Sequence, residues 1–115
     1  MRRAPNAGTN RELAVMAVLA DEGWLCGSRR HIGGAGDILA VNNRTGWPEV
    51  YLIEVKSTAG GPWERFSPQD RQAMVETAAA AGAEAWLYHW PARGKLRRIP
   101  SSEWPKAHPR LEDAA

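Results

Sequence analysis

At 115 residues and 43% hydrophobic side chains, the chain has room for one core and not for two, and enough apolar content to exclude wholesale disorder. Fifteen Lys and Arg against thirteen Asp and Glu leave a net charge of +2, too small to argue by itself for a polyanionic partner. The single cysteine, Cys26, excludes an internal disulfide and a cysteine-based zinc site, and a reducing, cytoplasmic setting is expected.

Residues 1–8, MRRAPNAG, have the composition of an irregular basic arm. Thr9 followed by Glu12 has capping-box spacing and predicts a helix over 10–22 that ends at Gly23. The apolar run LAVMAVLA inside it is too short to span a bilayer. Arg11 and Glu12 abut the run and no small-x-small pattern follows it, so it is not expected to be a signal peptide. A strand is predicted over 24–28, a glycine-rich loop over 31–36 and a second strand over 37–41. A turn, NNRTGWPE, follows, and then a third strand over 50–56. After a polar loop, Ser67, Pro68 and Asp70 supply a cap, a first-turn proline and a box acid for a helix that runs to about 81 and stops at Gly82. Strands over 83–89 and 95–99, the latter at an edge, and a short helix from Ser101 complete a single domain over 9–105, with a loose tail over 106–115. The order αβββαββ predicts an α/β fold: a mixed central sheet of about five strands flanked by two main helices.

The third strand, VYLIEVK, carries charge where a buried strand carries apolar groups. Alternation puts Tyr51, Ile53 and Val55 on one face and Val50, Leu52, Glu54 and Lys56 on the other, with Glu54 and Lys56 roughly 7 Å apart. If the second and third strands pair antiparallel, Asp37 at the start of one lies beside Glu54 and Lys56 at the end of the other. Two adjoining carboxylates repel unless a cation separates them. Oxygen ligands of this kind suit Mg²⁺, which keeps waters and engages phosphate, and Mn²⁺ uses similar sites. Phosphodiester hydrolysis is the chemistry that calls for such a site, with Lys56 orienting water or offsetting charge on phosphorus.

The segments GDILAV and LIEVK resemble the core of PD-(D/E)XK nucleases, in which an acid opens one strand and E-x-K closes the next. NRELAVMAVLADEGW, CGSRR and DRQAMVETAAAAGAEAWLYHW are similar to the first helix, the following strand and the second helix and strand of archaeal-type Holliday-junction resolvases, so the likeness covers roughly residues 9–99. The resemblance implies a restriction-endonuclease-like core and a homodimeric, Mg²⁺-dependent enzyme that cuts four-way DNA junctions. Asp37 and Glu54 are then metal ligands, Lys56 is the catalytic lysine, and Glu12 joins the ligand or water shell. Ser28 and Arg29 contact the junction near the cut. Gly36 stands where the family has a proline. The HIGGAG loop and a glutamine after the E-x-K strand, Gln69, also resemble the virus-type replication-repair branch, which leaves a flap nuclease open, and a branched-DNA-binding module without catalysis is the rival from outside enzymes.

Plainer readings stand beside these. Glu12 also fits a helix cap, Ser28 an ordinary strand end, Gln69 an early-helix polar position, and His31 a solvated loop. Arg29 and Arg30 are adjacent and point to opposite faces if the strand continues, so one of them at most faces the site. Arg2 and Arg3 on the arm, and the group Arg93, Lys95, Arg97 and Arg98, are candidate phosphate-binding clusters. Of six tryptophans, Trp24 and Trp86 are expected in the core, while Trp47 and Trp63 fall in loops beside the proposed site, there to stack on unpaired bases or to pack a dimer interface. Met74, Val75, Ala78 and Ala79 form the apolar stripe expected of the second helix.

Overall fold

Two helices sandwich a five-stranded sheet in the computed structural model, which describes residues 7–29 and 35–106. Arg2, Arg3, Arg30, His31 and the tail from 107 lie outside the described residues. The elements are α1 (Ala7–Asp21), β1 (Leu25–Ser28), β2 (Ile38–Asn42), β3 (Glu49–Lys56), α2 (Pro68–Ala80), β4 (Glu84–His89) and β5 (Arg97–Pro100), followed by a 3-10 turn at Ser101–Glu103. The sheet runs β1-β2-β3-β4-β5 in space. Three neighbouring pairs are antiparallel and β3–β4 is parallel, the one pair joined through a helix, α2.

The start of α1 differs from the sequence expectation. The helix begins at Ala7, so Thr9 lies within its first turn rather than at its cap, and Ala7 and Gly8 belong to the helix rather than to an arm. At its other end Gly23 takes φ +91°, a conformation that costs glycine nothing, and the Trp24 N–H closes back on Leu19 at 2.9 Å. At α2, Ser67 Oγ accepts from the Asp70 N–H at 3.1 Å with Pro68 in the first turn, as its sequence requires.

Because each face of the sheet meets a helix, the core has two halves. Val15, Leu19, Trp24, Ile38, Ala40, Ile53 and Tyr88 pack between α1 and the sheet. Leu52, Phe66, Met74, Ala78, Ala85, Leu87, Ile99 and Trp104 pack on the α2 side. Each fully buried aliphatic chain contributes about 1.5–3 kcal/mol. On α2 the stripe is narrower than expected. Met74 and Ala78 are buried while Val75 is 39% exposed, and the third buried residue of the helix is Arg71. The far end of the α1 face is lined by rings: Tyr51 stands 4.5 Å from Trp24 and 4.9 Å from Trp86 between centroids. A two-pronged pair, Arg98 to Glu22 at 2.7 and 2.6 Å, ties the end of α1 to β5 and holds the Glu22 carboxyl below its usual range. On the α2 side, Leu25 (79% exposed), Leu39 and Val41 of β1 and β2 line a shallow apolar groove. Among the described residues no helix is long and apolar enough to cross a membrane.

Candidate active site

The β2–β3 register decides what stands next to what. Ile38 pairs with Ile53 and Asn42 with Glu49, so the start of β2 lies against the end of β3. Asp37, one residue before β2, extends the ladder on both sides: its N–H donates to Ile53 O at 2.8 Å and its carbonyl accepts from the Arg29 N–H at 2.8 Å. Its carboxylate is held in turn, Oδ2 accepting from the Val55 N–H at 2.8 Å. Glu54 therefore projects beside Asp37, and Lys56 Nζ lies 3.1 Å from Glu54 Oε2. These three groups, brought together as the alternation and hairpin pairing require, sit at the end of the sheet where β3 and β4 both finish.

What the hairpin does not foretell is the cover. Asp37 and Glu54 form part of a cavity of about 300 Å³ whose other walls are Ala35, Gly36, Phe66, Asp70, Ala73 and Met74. The charged face of β3 thus turns from the Leu52 core into a pocket roofed by α2, not into open solvent. The side chains of Lys56 and Glu54 are 21% and 16% exposed. Phe66 and Asp70 have no mark in the sequence beyond a loop apolar residue and a box acid. They reach the pocket because Ser67 and Pro68 start α2 directly above it. Gln69, on the same turn, is exposed and is not among the pocket walls, whereas its neighbour Asp70 is.

Burial raises the Glu54 carboxyl from its ordinary 4.5 to about 7, the Asp37 carboxylate adds to the rise, and Lys56 opposes it. The nearby ammonium is therefore a weaker influence than burial and the Asp37 charge together. A cation between Asp37 and Glu54 would offset that charge. The donor set, two carboxylates with room for water, is one that a hard divalent ion accepts. Among the described residues no three His, Cys, Asp or Glu side chains gather as metal ligands. Glu12 lies half-buried on α1 and is engaged within the protein. Its neighbour Arg11 donates to Pro91 O at 3.2 Å and covers Trp90 at 4.7 Å, which fixes that stretch of α1 near the end of β4.

Ser28 closes β1 opposite Ile38, and Arg29 follows with its N–H on Asp37, so both lie one strand away from the acid pair. His89 ends β4 beside Lys56; it is buried, with Nε2 2.8 Å from Thr58 O, and pins the loop that leaves β3. Trp63 flanks Phe66 at 6.4 Å near the pocket. Trp47, expected there as well, is at the other end of the hairpin: it sits in the β2–β3 turn, and five paired residues put it roughly 15 Å from Asp37.

Gly36 holds a backbone shape that proline cannot take. Its φ is +89°, which proline cannot reach, and a Cβ there would come within 2.7 Å of Leu52 Cδ1 and 3.1 Å of Met74 Sδ. Gly36→Ala should cost about 1–3 kcal/mol, read as a lowered midpoint in urea unfolding; an unchanged midpoint would contradict this geometry.

No protein-family model matches the chain, and no curated protein sequence does. Among solved structures, the 1.6 Å structure of Archaeoglobus fulgidus Hjc, a Holliday junction resolvase from an archaeal hyperthermophile, superposes with a TM-score of 0.71 at 25% identity, over 87% of this chain and 84% of that one. The five-strand, two-helix sandwich and its order agree with the architecture expected from the sequence. In fold, over most of its length, the chain is similar to an archaeal Holliday junction resolvase.

Proposed function

We propose that the chain is a structure-selective DNA endonuclease that resolves four-way junctions by phosphodiester hydrolysis, with Mg²⁺ as its ion and Mn²⁺ as a substitute, acting as a homodimer inside the cell. The observation that carries this reading is the Asp37–Glu54–Lys56 constellation in a pocket, on a fold shared with a Holliday junction resolvase. Asp37 and Glu54 would hold the ion, with waters and phosphate oxygens completing its shell and Glu12 bonded to that water. When bound, the ion polarises a phosphoryl oxygen and lowers the pKa of water. Asp37 arrives already oriented, because the Val55 N–H fixes one of its oxygens. Lys56, held by Glu54 and lying 5.9 Å from the Phe66 ring centre, donates to the phosphate as negative charge builds there. Ser28 and Arg29, one strand away, hold the flanking backbone, and Arg2, Arg3, Arg30 and His31 extend the basic contact. Gln69, exposed on the first turn of α2, is a contact at the rim. The geometry adds nothing in favour of flaps or of a non-cutting module.

Incubation with a labelled four-way junction should give paired symmetric nicks with Mg²⁺ and none with EDTA. Absence of cleavage with either Mg²⁺ or Mn²⁺, or cuts confined to flaps, would overturn the reading.

A further inference from the structure

Arg93, Lys95 and Arg97 have no part in the acid pocket, yet the register sets them at the same end of the sheet. β4 runs parallel to β3 with Lys56 beside His89, and β5 returns antiparallel with His89 beside Arg97. The turn from β4 to β5, which carries Arg93 and Lys95, therefore follows the end of the sheet where Lys56 stands. Side chains alternate along a strand, and residues paired in register share a face. Leu52, Leu87 and Ile99 pack on the α2 side, so Lys56, His89 and Arg97, each an even number of residues away, project to that side too. They form one row across β3, β4 and β5, on the face of the acid pair. At about 4.8 Å per strand, the backbone of Arg97 stands roughly 10 Å from that of Lys56.

The two arginines that open β5 have different surroundings. Arg98 points to the other face, where it covers Tyr88 at 5.4 Å and is tied to Glu22. Arg97 is exposed, as are Arg93 and Lys95, and among the described residues no acid pairs with any of them. The turn is also braced. Arg11 Nη2 donates to Pro91 O at 3.2 Å from α1, and the Gly94 N–H closes on the same oxygen at 3.3 Å. Neighbouring like charges on a braced hairpin repel one another, and a polyanion laid along them offsets that repulsion. One DNA strand presents a phosphate about every 3.4 Å of helix axis, so the roughly 10 Å from Lys56 to Arg97 spans about three steps. Charges spread along a hairpin, in a row with the reaction pocket, match a line of phosphates and not one small anion.

We propose that the β4–β5 hairpin is a second DNA-binding surface, in which Arg97, with Arg93 and Lys95, holds the backbone of a duplex arm about three nucleotides from the phosphate to be cut. The assignment rests on the endonuclease reading for its ligand, DNA, but its test does not need cleavage. Full-length wild type, Arg97→Gln, the triple variant Arg93→Gln/Lys95→Gln/Arg97→Gln, Arg97→Lys and Arg44→Gln are titrated with a four-way junction in EDTA across a KCl series. Arg44, exposed in the β2–β3 turn, supplies the same loss of charge at the opposite end of the sheet. The slope of log K against log salt should be shallower by about one in Arg97→Gln and by about two to three in the triple variant. At 0.1 M salt the affinities should fall about fivefold and about a hundredfold. Arg97→Lys keeps the charge and should keep the slope, and Arg44→Gln should bind as wild type does. A methylphosphonate, which removes one phosphate charge, is then moved along one strand of the junction. At one position it should weaken wild type and leave Arg97→Gln unaffected. Equal slopes in wild type and the triple variant overturn the surface. So does an Arg44→Gln slope change as large as that of Arg97→Gln, which assigns the effect to net charge, and so does a scan with no such position. If wild type shows the slope differences but never cuts, the endonuclease reading falls while the surface stands. If it cuts and the slopes are equal, the surface falls while that reading stands.

Discussion

Asp37→Ala should bind a four-way junction as the parent does and cut it at least about 10³-fold more slowly in single-turnover assays, and Lys56→Ala should lose about 10²–10³-fold. The two losses have separate causes. Asp37 is a carboxylate fixed by the Val55 N–H at 2.8 Å, so its removal takes away half of the charge pair and frees a backbone donor. Among the described residues Lys56 touches Glu54 at 3.1 Å and no other acid within ion-pair distance, so its removal leaves the carboxylates in place and takes only the positive group that answers developing charge. Raising Mg²⁺ should therefore rescue Lys56→Ala little. If either variant cuts at the parental rate, or if both lose junction binding along with cleavage, the pocket is not the reaction centre.

A second large effect is expected in stability, free of any substrate. The folded Glu54 carboxyl titrates at about 7, against an ordinary 4.5, because it is desolvated beside Asp37. A raised acid stabilises the fold fully below its unfolded pKa, and that contribution is lost as pH climbs through the folded value. In EDTA, wild type should thus weaken relative to Glu54→Gln between pH 4.5 and 7.5, by up to about 3 kcal/mol, or ~10 °C in melting temperature. At pH 4 and below the two should melt alike, and at pH 8 the glutamine variant should be the more stable. Mg²⁺ added at pH 8 should return the wild type toward it and leave Glu54→Gln nearly unmoved. A difference that stays flat across the pH range would mean that the carboxyl is not buried beside a second acid.

Adjacency of Asp37, Glu54 and Lys56 was legible because it needs only strand alternation and one hairpin. Both are local rules, and the turn residues of NNRTGWPE announce the hairpin. The same holds for the Gly23 and Gly82 stops, for the α2 cap and for the order of all the strands. What lay beyond reach was set by contacts between distant segments. Whether the charged face of β3 opens to solvent depends on where α2 lands, and nothing in β3 encodes that. Phe66 and Asp70 become pocket walls only once Ser67 and Pro68 begin the helix above Glu54. Arg71 occupies a place in the α2 stripe that a hydrophobic scan assigns to an apolar neighbour, and Val75 turns outward instead. Trp47 is near the motif in sequence, but the β2–β3 register sends its turn to the opposite end of the hairpin. The capping box at Thr9 and Glu12 was a true spacing without a helix start behind it, since α1 already begins at Ala7.

The pair that joins Arg98 to Glu22 has a bearing on assembly. It anchors β5, which with Arg97, Arg98 and Pro100 forms one rim of the sheet, and the opposite rim, β1, is only four residues long and contains Gly27. Guanidinium groups and a proline are poor templates for an incoming strand, and a short strand offers little ladder to extend. Growth of a continuous sheet from molecule to molecule is thereby discouraged at both rims.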